Sequence, residues 1–317
     1  MDLYHQIEAY VIDNPSVSEW PEMNSLVSKI TLRKPRQWAL SGLACEAVGG
    51  TREQAIPGMS AIACFHISII LIDDMLDNDP RGEFRRLGHP ATANLAAAFQ
   101  ALGLEAIFRS KLGPLTKLAI VESLNDMILQ TALGQNLDAL KRYDEETYWR
   151  VARLKSSPFF GAALRIGALI GGASVGLAEK MDQLGQIYGE SIQIHDDLND
   201  ALEVPANPDW LQGQPSLPLL YAQIVNHPDR ERFLELKQHV IQADNLAEAQ
   251  SILIHCGAIS YCFDRIVHQY HAAQAILKDL PIQNGTVLEG LFKELILPIQ
   301  EFVNKMDPAH PISLSSF

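Results

Sequence analysis

Cysteine is scarce in this 317-residue chain: Cys45, Cys64, Cys256 and Cys262 are all it has, and no two share a Cys-x-x-Cys spacing. Three of them fall within apolar helical patterns, which suits buried free thiols in a reducing compartment and argues against a disulfide framework or a zinc site. Positive charge is also in short supply. Twenty-five Lys and Arg against 38 Asp and Glu give a net charge of −13, which argues against nucleic acid as the main partner. The opening residues, Met1-Asp2-Leu3-Tyr4-His5, lack the basic and apolar regions of a secretory signal, so a cytoplasmic protein is expected. No stretch reads as a transmembrane span. The most membrane-like, Phe159 to Ala178, carries Arg165 and five glycines, whereas a spanning helix needs about 20 predominantly apolar residues. Its small residues read instead as places where helices approach closely. Alternating strand patterns, linkers and fixed-period repeats are missing too, which leaves one domain over residues 1–317.

What is present is helical periodicity. Apolar residues recur at three- and four-residue intervals through Trp38–Val48, Gly58–Ile72, Asn94–Phe108, Leu115–Leu133, Tyr148–Leu169 and Leu177–Leu198. The pattern continues through Leu217–Val225, Arg230–Ala243, Leu246–Leu253, Ala258–Leu277 and Thr286–Val303. The expected fold class is all-α, a single-domain bundle of roughly a dozen helices around a central cavity.

Two acidic clusters stand out: Asp73-Asp74-Met75-Leu76-Asp77 and Asp196-Asp197-Leu198-Asn199-Asp200, both Asp-Asp-x-x-Asp. On a helix the first and last carboxylates share a face, with the middle one about 100° round the cylinder. Each cluster ends an apolar run, where the helix dipole disfavours negative charge. A bound cation offsets that cost. Carboxylate oxygens suit Mg²⁺, which takes one or two of them and completes its shell with water and phosphate oxygens. Two such faces opposed across a cavity would hold a diphosphate through metals.

The clusters, their separation and their helical setting resemble those of the trans-isoprenyl diphosphate synthases, the polyprenyl synthetase family with the class I isoprenoid synthase fold. Further landmarks follow in order: Leu43 to Gly50, His66 seven residues before Asp73, Arg85-Arg86-Leu87-Gly88-His89-Pro90, Gly134-Gln135-Asn136-Leu137-Asp138, Lys155-Ser156, Gln193, and Gly257 to Tyr261. The resemblance implies a prenyltransferase in which one diphosphate is ionised with Mg²⁺ and the allylic cation is attacked by isopentenyl diphosphate. It also implies a homodimer. Asp73, Asp77 and Asp196 are then the first choices for metal ligands, with Asp74, Asp197 and Asp200 beside them. Arg85 and Lys155 are expected on the allylic diphosphate, and Arg33, Lys34, Arg36, Arg86 and His66 on the second diphosphate. Gln193 and Ser156 are expected along the cation's path.

Several positions depart from the pattern. The basic segment reads Leu32-Arg33-Lys34-Pro35-Arg36, the loop from Asp77 to Arg85 is long enough for Asp79 or Arg81 to enter the site, and Gln212 and Gln214 stand where a lysine is expected. At the C-terminal end the basic residues are reduced to Lys305. Two alternatives therefore stay open: a class I terpene synthase that ionises one substrate, and a non-catalytic subunit of a heteromeric synthase. Retention of all six aspartates speaks against the latter. If the product tunnel follows the helix before Asp73, small Ser68 leaves it open and Phe65 ends it, which implies a product of geranylgeranyl class or longer.

Overall fold

The apolar intervals become helices. The computed structural model describes residues 2–140, 144–207, 210 and 216–306, and no strand occurs among them. Three helices precede the first expected one: α1 (Leu3–Ile12), α2 (Pro15–Ser18) and α3 (Pro21–Thr31). A 3-10 turn, Arg36–Ala39, leads into α4 (Leu40–Ala47), followed by α5 (Ile56–Leu76), the short α6 (Phe84–Leu87), α7 (His89–Arg109) and α8 (Pro114–Asp138). Then come α9 (Glu145–Lys155), α10 (Ser157–Ile170) and α11 (Val175–Leu202). The chain continues through α12 (Leu217–Ile224), α13 (Arg230–Lys237), α14 (Ala243–His255), α15 (Ala258–Lys278) and α16 (Gly285–Met306).

One expected helix, Tyr148–Leu169, is two: it breaks at Ser156 because Pro158 has no N–H to donate and its ring would collide with the carbonyl of Leu154 in a continuous helix. Placed in the first turn of α10, Pro158 costs nothing. The break turns Lys155 and Ser156 toward the site described below.

Helices α5, α10 and α11 form the centre. α5 packs along α7, while α10 packs on α11, α4 and α8. The glycines of the Phe159 to Ala178 segment act as helix contacts: a Cβ on Gly167 would lie 2.1 Å from the Ser41 carbonyl oxygen, so only glycine lets α10 and α4 meet. By length and composition α5 and α7, not this segment, are the helices apolar enough to cross a membrane, and 61% of the α5 window is buried within the bundle. Cys45, Cys64 and Cys262 are buried and all four cysteines are free thiols.

Candidate active site

Helices α5 and α11 end at the same cavity. Its volume is about 700 Å³, and all six cluster aspartates line it. Asp73 and Asp74 occupy the last turn of α5, and Asp77 caps it, donating its N–H to the Asp73 carbonyl at 2.9 Å. Nine carboxylates face this space, with Lys155 and Arg81 as its cations. Burial, reinforced by Asp79, Asp73 and Asp77, pushes the Asp74 carboxyl up to about 6. Burial and then Asp200 push Asp196 up to about 6. The site is thus deficient in positive charge on both walls.

Among the described residues no three His, Cys, Asp or Glu side chains converge tightly enough to hold a metal ion unaided. Asp73 and Asp77 at the end of α5 and Asp196 on α11 line the one cavity, and their carboxylate oxygens are the donor type a hard divalent ion takes.

Lys155 bridges the first cluster. Its Nζ lies 3.0 Å from Asp73 and 2.7 Å from Asp138. Burial works against its charge, but these two carboxylates dominate and hold it protonated well above the usual lysine range. The geometry depends on Gly134, where a Cβ would sit 2.3 Å from the Lys155 backbone nitrogen. α8 can therefore lie directly against the end of α9, delivering Asp138 and Lys155 to one place. Gln135 on the same turn reaches Asp73 at 3.5 Å.

On the opposite wall Asp197 is buried and accepts three hydrogen bonds, from Tyr148 (2.7 Å), the Leu217 N–H (2.6 Å) and Gln193 (2.9 Å). Ser156 in turn donates to Gln193 at 2.7 Å. Burial outweighs these donors and pushes the Asp197 carboxyl up to about 7. With its oxygens occupied, Asp197 ties α9, α10, α11 and the start of α12 together rather than presenting a free ligand. Asp200 accepts from Asn207 at 2.9 Å.

A family model described as polyprenyl synthetase matches residues 35–253. The chain belongs to the polyprenyl synthetase family, a family of prenyltransferases. It is 30% identical over 171 residues to a geranylgeranyl diphosphate synthase of Methanosarcina mazei, a match spanning 50% of this chain and 52% of that one. To a geranylfarnesyl diphosphate synthase of Aeropyrum pernix it is 29% identical over 296 residues, 86% and 87% of the two chains. The fold is similar to that of a geranylgeranyl pyrophosphate synthetase from Pyrococcus horikoshii, with a TM-score of 0.80 at 22% identity over 92% of this chain and 95% of that one. A polyprenyl synthase from Caulobacter crescentus, complexed with calcium and isoprenyl diphosphate, gives 0.70 at 20% identity over 82% and 83%.

In this chain the basic residues distribute differently from the sequence pattern. A second cavity of about 290 Å³ is lined by Lys29, Arg33, His66 and Arg81. Of the expected second-diphosphate residues, Arg33 and His66 reach it. Lys34, in the left-handed region at φ 50°, pairs with Asp2 at 2.5 Å, and Arg36 pairs with Glu294 at 2.8 Å. Arg86 pairs with Glu83 at 3.1 Å. Arg85 lines neither cavity: it bonds the Asn78 carbonyl and side chain at 3.0 and 2.9 Å and lies over the Phe84 ring. The loop's guanidinium in the site is Arg81, and its neighbour Asp79 lines the larger cavity. Gln212 and Gln214 lie outside the described residues.

His66 faces both cavities as a neutral ring. Trp38 donates to its Nδ1 at 3.1 Å, so the ring proton resides on Nε2, and Gln37, 2.9 Å away, must turn its amide oxygen to accept it. Burial lowers its pKa to about 4.

The two residues expected at the tunnel floor do not lie on the cavity wall. Ser68 is buried and accepts a hydrogen bond from Gln100 of α7 at 3.1 Å, and Phe65 packs where Gly103 of α7 leaves room. Neither lines the cavity. Its apolar wall comes from Ile69 and Ile70 of α5, Val151 of α9, and Phe159 and Phe160 of α10. Asp138, Tyr148, Lys29 and Gln37 are contacts that sequence reasoning gave no role. Asp138 alone carried a signal, as the last residue of the Gly134-to-Asp138 landmark.

Proposed function

We propose that this polyprenyl synthetase condenses isopentenyl diphosphate with an allylic diphosphate and releases an elongated prenyl diphosphate of geranylgeranyl class or longer. The observation that carries the reading is that Asp73, Asp74, Asp77, Asp196 and Asp200 line one cavity, beside a smaller one lined by Arg33, Arg81 and Lys29, the last paired with Glu83 at 2.6 Å. Two diphosphate-sized sites of different character suit two substrates. A synthase that ionises a single diphosphate needs only the first, and this favours elongation over the terpene synthase alternative.

Mg²⁺, when bound, would neutralise the leaving diphosphate and favour carbon–oxygen cleavage. The chain's own part is positioning. Lys155, kept charged by Asp73 and Asp138, presents a fixed ammonium to the developing anion. Ile69, Ile70, Phe159 and Phe160 exclude water from the allylic cation. Neutral His66 stands between the cavities without repelling that cation. Product length in the geranylgeranyl class or above accords with the names of the relatives.

The active form is a cytoplasmic homodimer in this reading. Leu115, Leu118, Leu129 and Leu133 are exposed on α8, within about 60° of one another at 100° per residue, and opposite buried Ile120 and Leu124. Leu115 is 82% and Leu129 62% exposed. These leucines share their face with exposed Glu122 and Asp126, and the amphipathic surface they form suits a second copy of the chain. The test is incorporation of ¹³C-isopentenyl diphosphate in the presence of Mg²⁺. Label in a longer diphosphate, abolished by chelation, supports the reading. Release of diphosphate without label in the product contradicts it.

A further inference from the structure

Helix α9 is fastened to both aspartate-bearing helices, and one face of it makes both ties. Lys155, its last residue, meets Asp73 on α5 and Asp138 at the end of α8, at 3.0 and 2.7 Å. Tyr148, seven residues earlier, donates its hydroxyl to Asp197 of α11 at 2.7 Å. Seven residues at 100° each fall within about 20° of two full turns, so the two side chains leave α9 in nearly the same direction, about 10 Å apart along its axis. Both line the larger cavity. Ser156, just past the helix end, donates to Gln193 of α11 at 2.7 Å, and Gln193 donates to Asp197 at 2.9 Å.

Apolar packing does not replace these ties. α9 packs chiefly on α8, and its contact with α11 is light. Among its polar contacts with α11, Arg153 and Glu190 at 3.4 Å form a pair whose arginine is exposed, which contributes little. Tyr148 is buried, with its ring edge-on to Trp149 at 5.1 Å, and the Trp149 indole N–H is itself bonded to Glu145 at 3.1 Å. Asp197 is held from the other side by the Leu217 N–H at 2.6 Å and by Gln193. It stands on the same turn of α11 as Asp196 and Asp200. Fixing Asp197 therefore fixes how those two carboxylates are presented.

We propose that Tyr148 is a positioning residue: acting through Asp197, it makes α9 a strut that sets the spacing between the aspartates of α5 and those of α11. The inference rests on the proposed function for the identity of the ligand between them, a diphosphate with Mg²⁺. The Tyr148 hydroxyl is committed to Asp197 and acts on that ligand only through the position of α11. A wall that is free to shift has to be ordered when the ligand binds, and affinity is lost to that ordering. With Tyr148 and Lys155 both engaged, the ordering is done before the ligand arrives.

The test is calorimetric binding of inorganic pyrophosphate with Mg²⁺ present, with urea unfolding measured alongside. Tyr148→Phe keeps the ring and removes one hydrogen bond. Tyr10→Phe is the matched control, since it removes a hydroxyl bonded to the Ala106 carbonyl at 3.0 Å on a residue that lines neither cavity. Tyr148→Phe is expected to weaken pyrophosphate binding about tenfold, the size of one charge-assisted hydrogen bond. Tyr10→Phe should leave binding unchanged while lowering the urea midpoint by a similar amount. Because a strut acts only when both ends are fixed, Tyr148→Phe should weaken binding less than about twofold when Lys155→Gln is already present. Unaltered affinity in Tyr148→Phe, an equal loss in Tyr10→Phe, or an undiminished effect beside Lys155→Gln would overturn the strut. A wild-type enzyme that binds pyrophosphate but does not elongate would contradict the proposed reaction, while weakened binding in Tyr148→Phe would still support the role of Tyr148. Failure of the wild type to bind pyrophosphate would overturn both.

Discussion

Lys155 is the residue whose surroundings are most sharply built for one task. Replacing it with Gln removes a fixed charge beside the leaving group and leaves Asp73 and Asp138 facing each other. Loss of one preorganised charge-stabilising group costs roughly 10²–10³ in kcat, and the account expects that loss in steady-state rates with a smaller change in the isopentenyl diphosphate KM. His66 supports a pH prediction. Its folded pKa of about 4 lies below the ordinary imidazole value of 6.5, so the unfolded chain binds more protons between those values. The stability His66 contributes is whole above pH 6.5 and declines as pH falls toward 4. Urea unfolding of wild type and His66→Gln at pH 7 and pH 5 should show the wild type losing up to about 2 kcal/mol more than the variant on acidification. Equal losses would mean that His66 is not held neutral. At this scale the aspartate clusters and Lys155 were legible because their spacing is chemical. That Arg81 rather than Arg85 lines the cavity was not readable from sequence, since backbone turns at Asn78 and Gly82 place the loop.

Among elements, the contact of α8 with the end of α9 governs the site. Gly134→Ala would place a methyl 2.3 Å from backbone that cannot move aside as a side chain could. Overpacking of this kind costs about 1–3 kcal/mol, and because the strain falls on Lys155 itself, activity should drop further than stability predicts. Urea midpoints compared with kcat test this; a stability loss with unchanged kcat would contradict it. Asp197 plays the corresponding role for α9, α11 and α12. Its replacement by Ala leaves the Tyr148 hydroxyl, the Gln193 amide and the Leu217 N–H without their acceptor and should cost about 2–5 kcal/mol. Helix existence was readable from periodicity, and the long apolar α5 and α11 came out within a few residues. The break at Ser156 was missed although Pro158 marks it. Ser68 and Phe65 were assigned to a tunnel because helical spacing tells which residues share a face but not which neighbour that face meets. Here it meets α7.

The whole molecule follows from the need to surround two charged helix ends with apolar helices. That arrangement explains how a chain that is 47% hydrophobic can pack its long apolar helices α5 and α7 against each other. The α8 leucines are among the apolar side chains that face outward. Glu at both Leu129 and Leu133 should convert a dimer to a monomer in light scattering, and a monomeric wild type would remove that part of the account. No sequence periodicity announced this stripe, because α8 is apolar on its buried side as well. In the proposed function the two aspartate clusters and the adjoining cavity together serve elongation of a prenyl chain. Mass spectrometry of products from purified protein with Mg²⁺ and dimethylallyl, geranyl or farnesyl diphosphate, each with and without isopentenyl diphosphate, tests it most directly. Diphosphates of geranylgeranyl length or longer are expected only when isopentenyl diphosphate is present. A hydrocarbon or alcohol formed regardless of isopentenyl diphosphate, or no turnover, would contradict it.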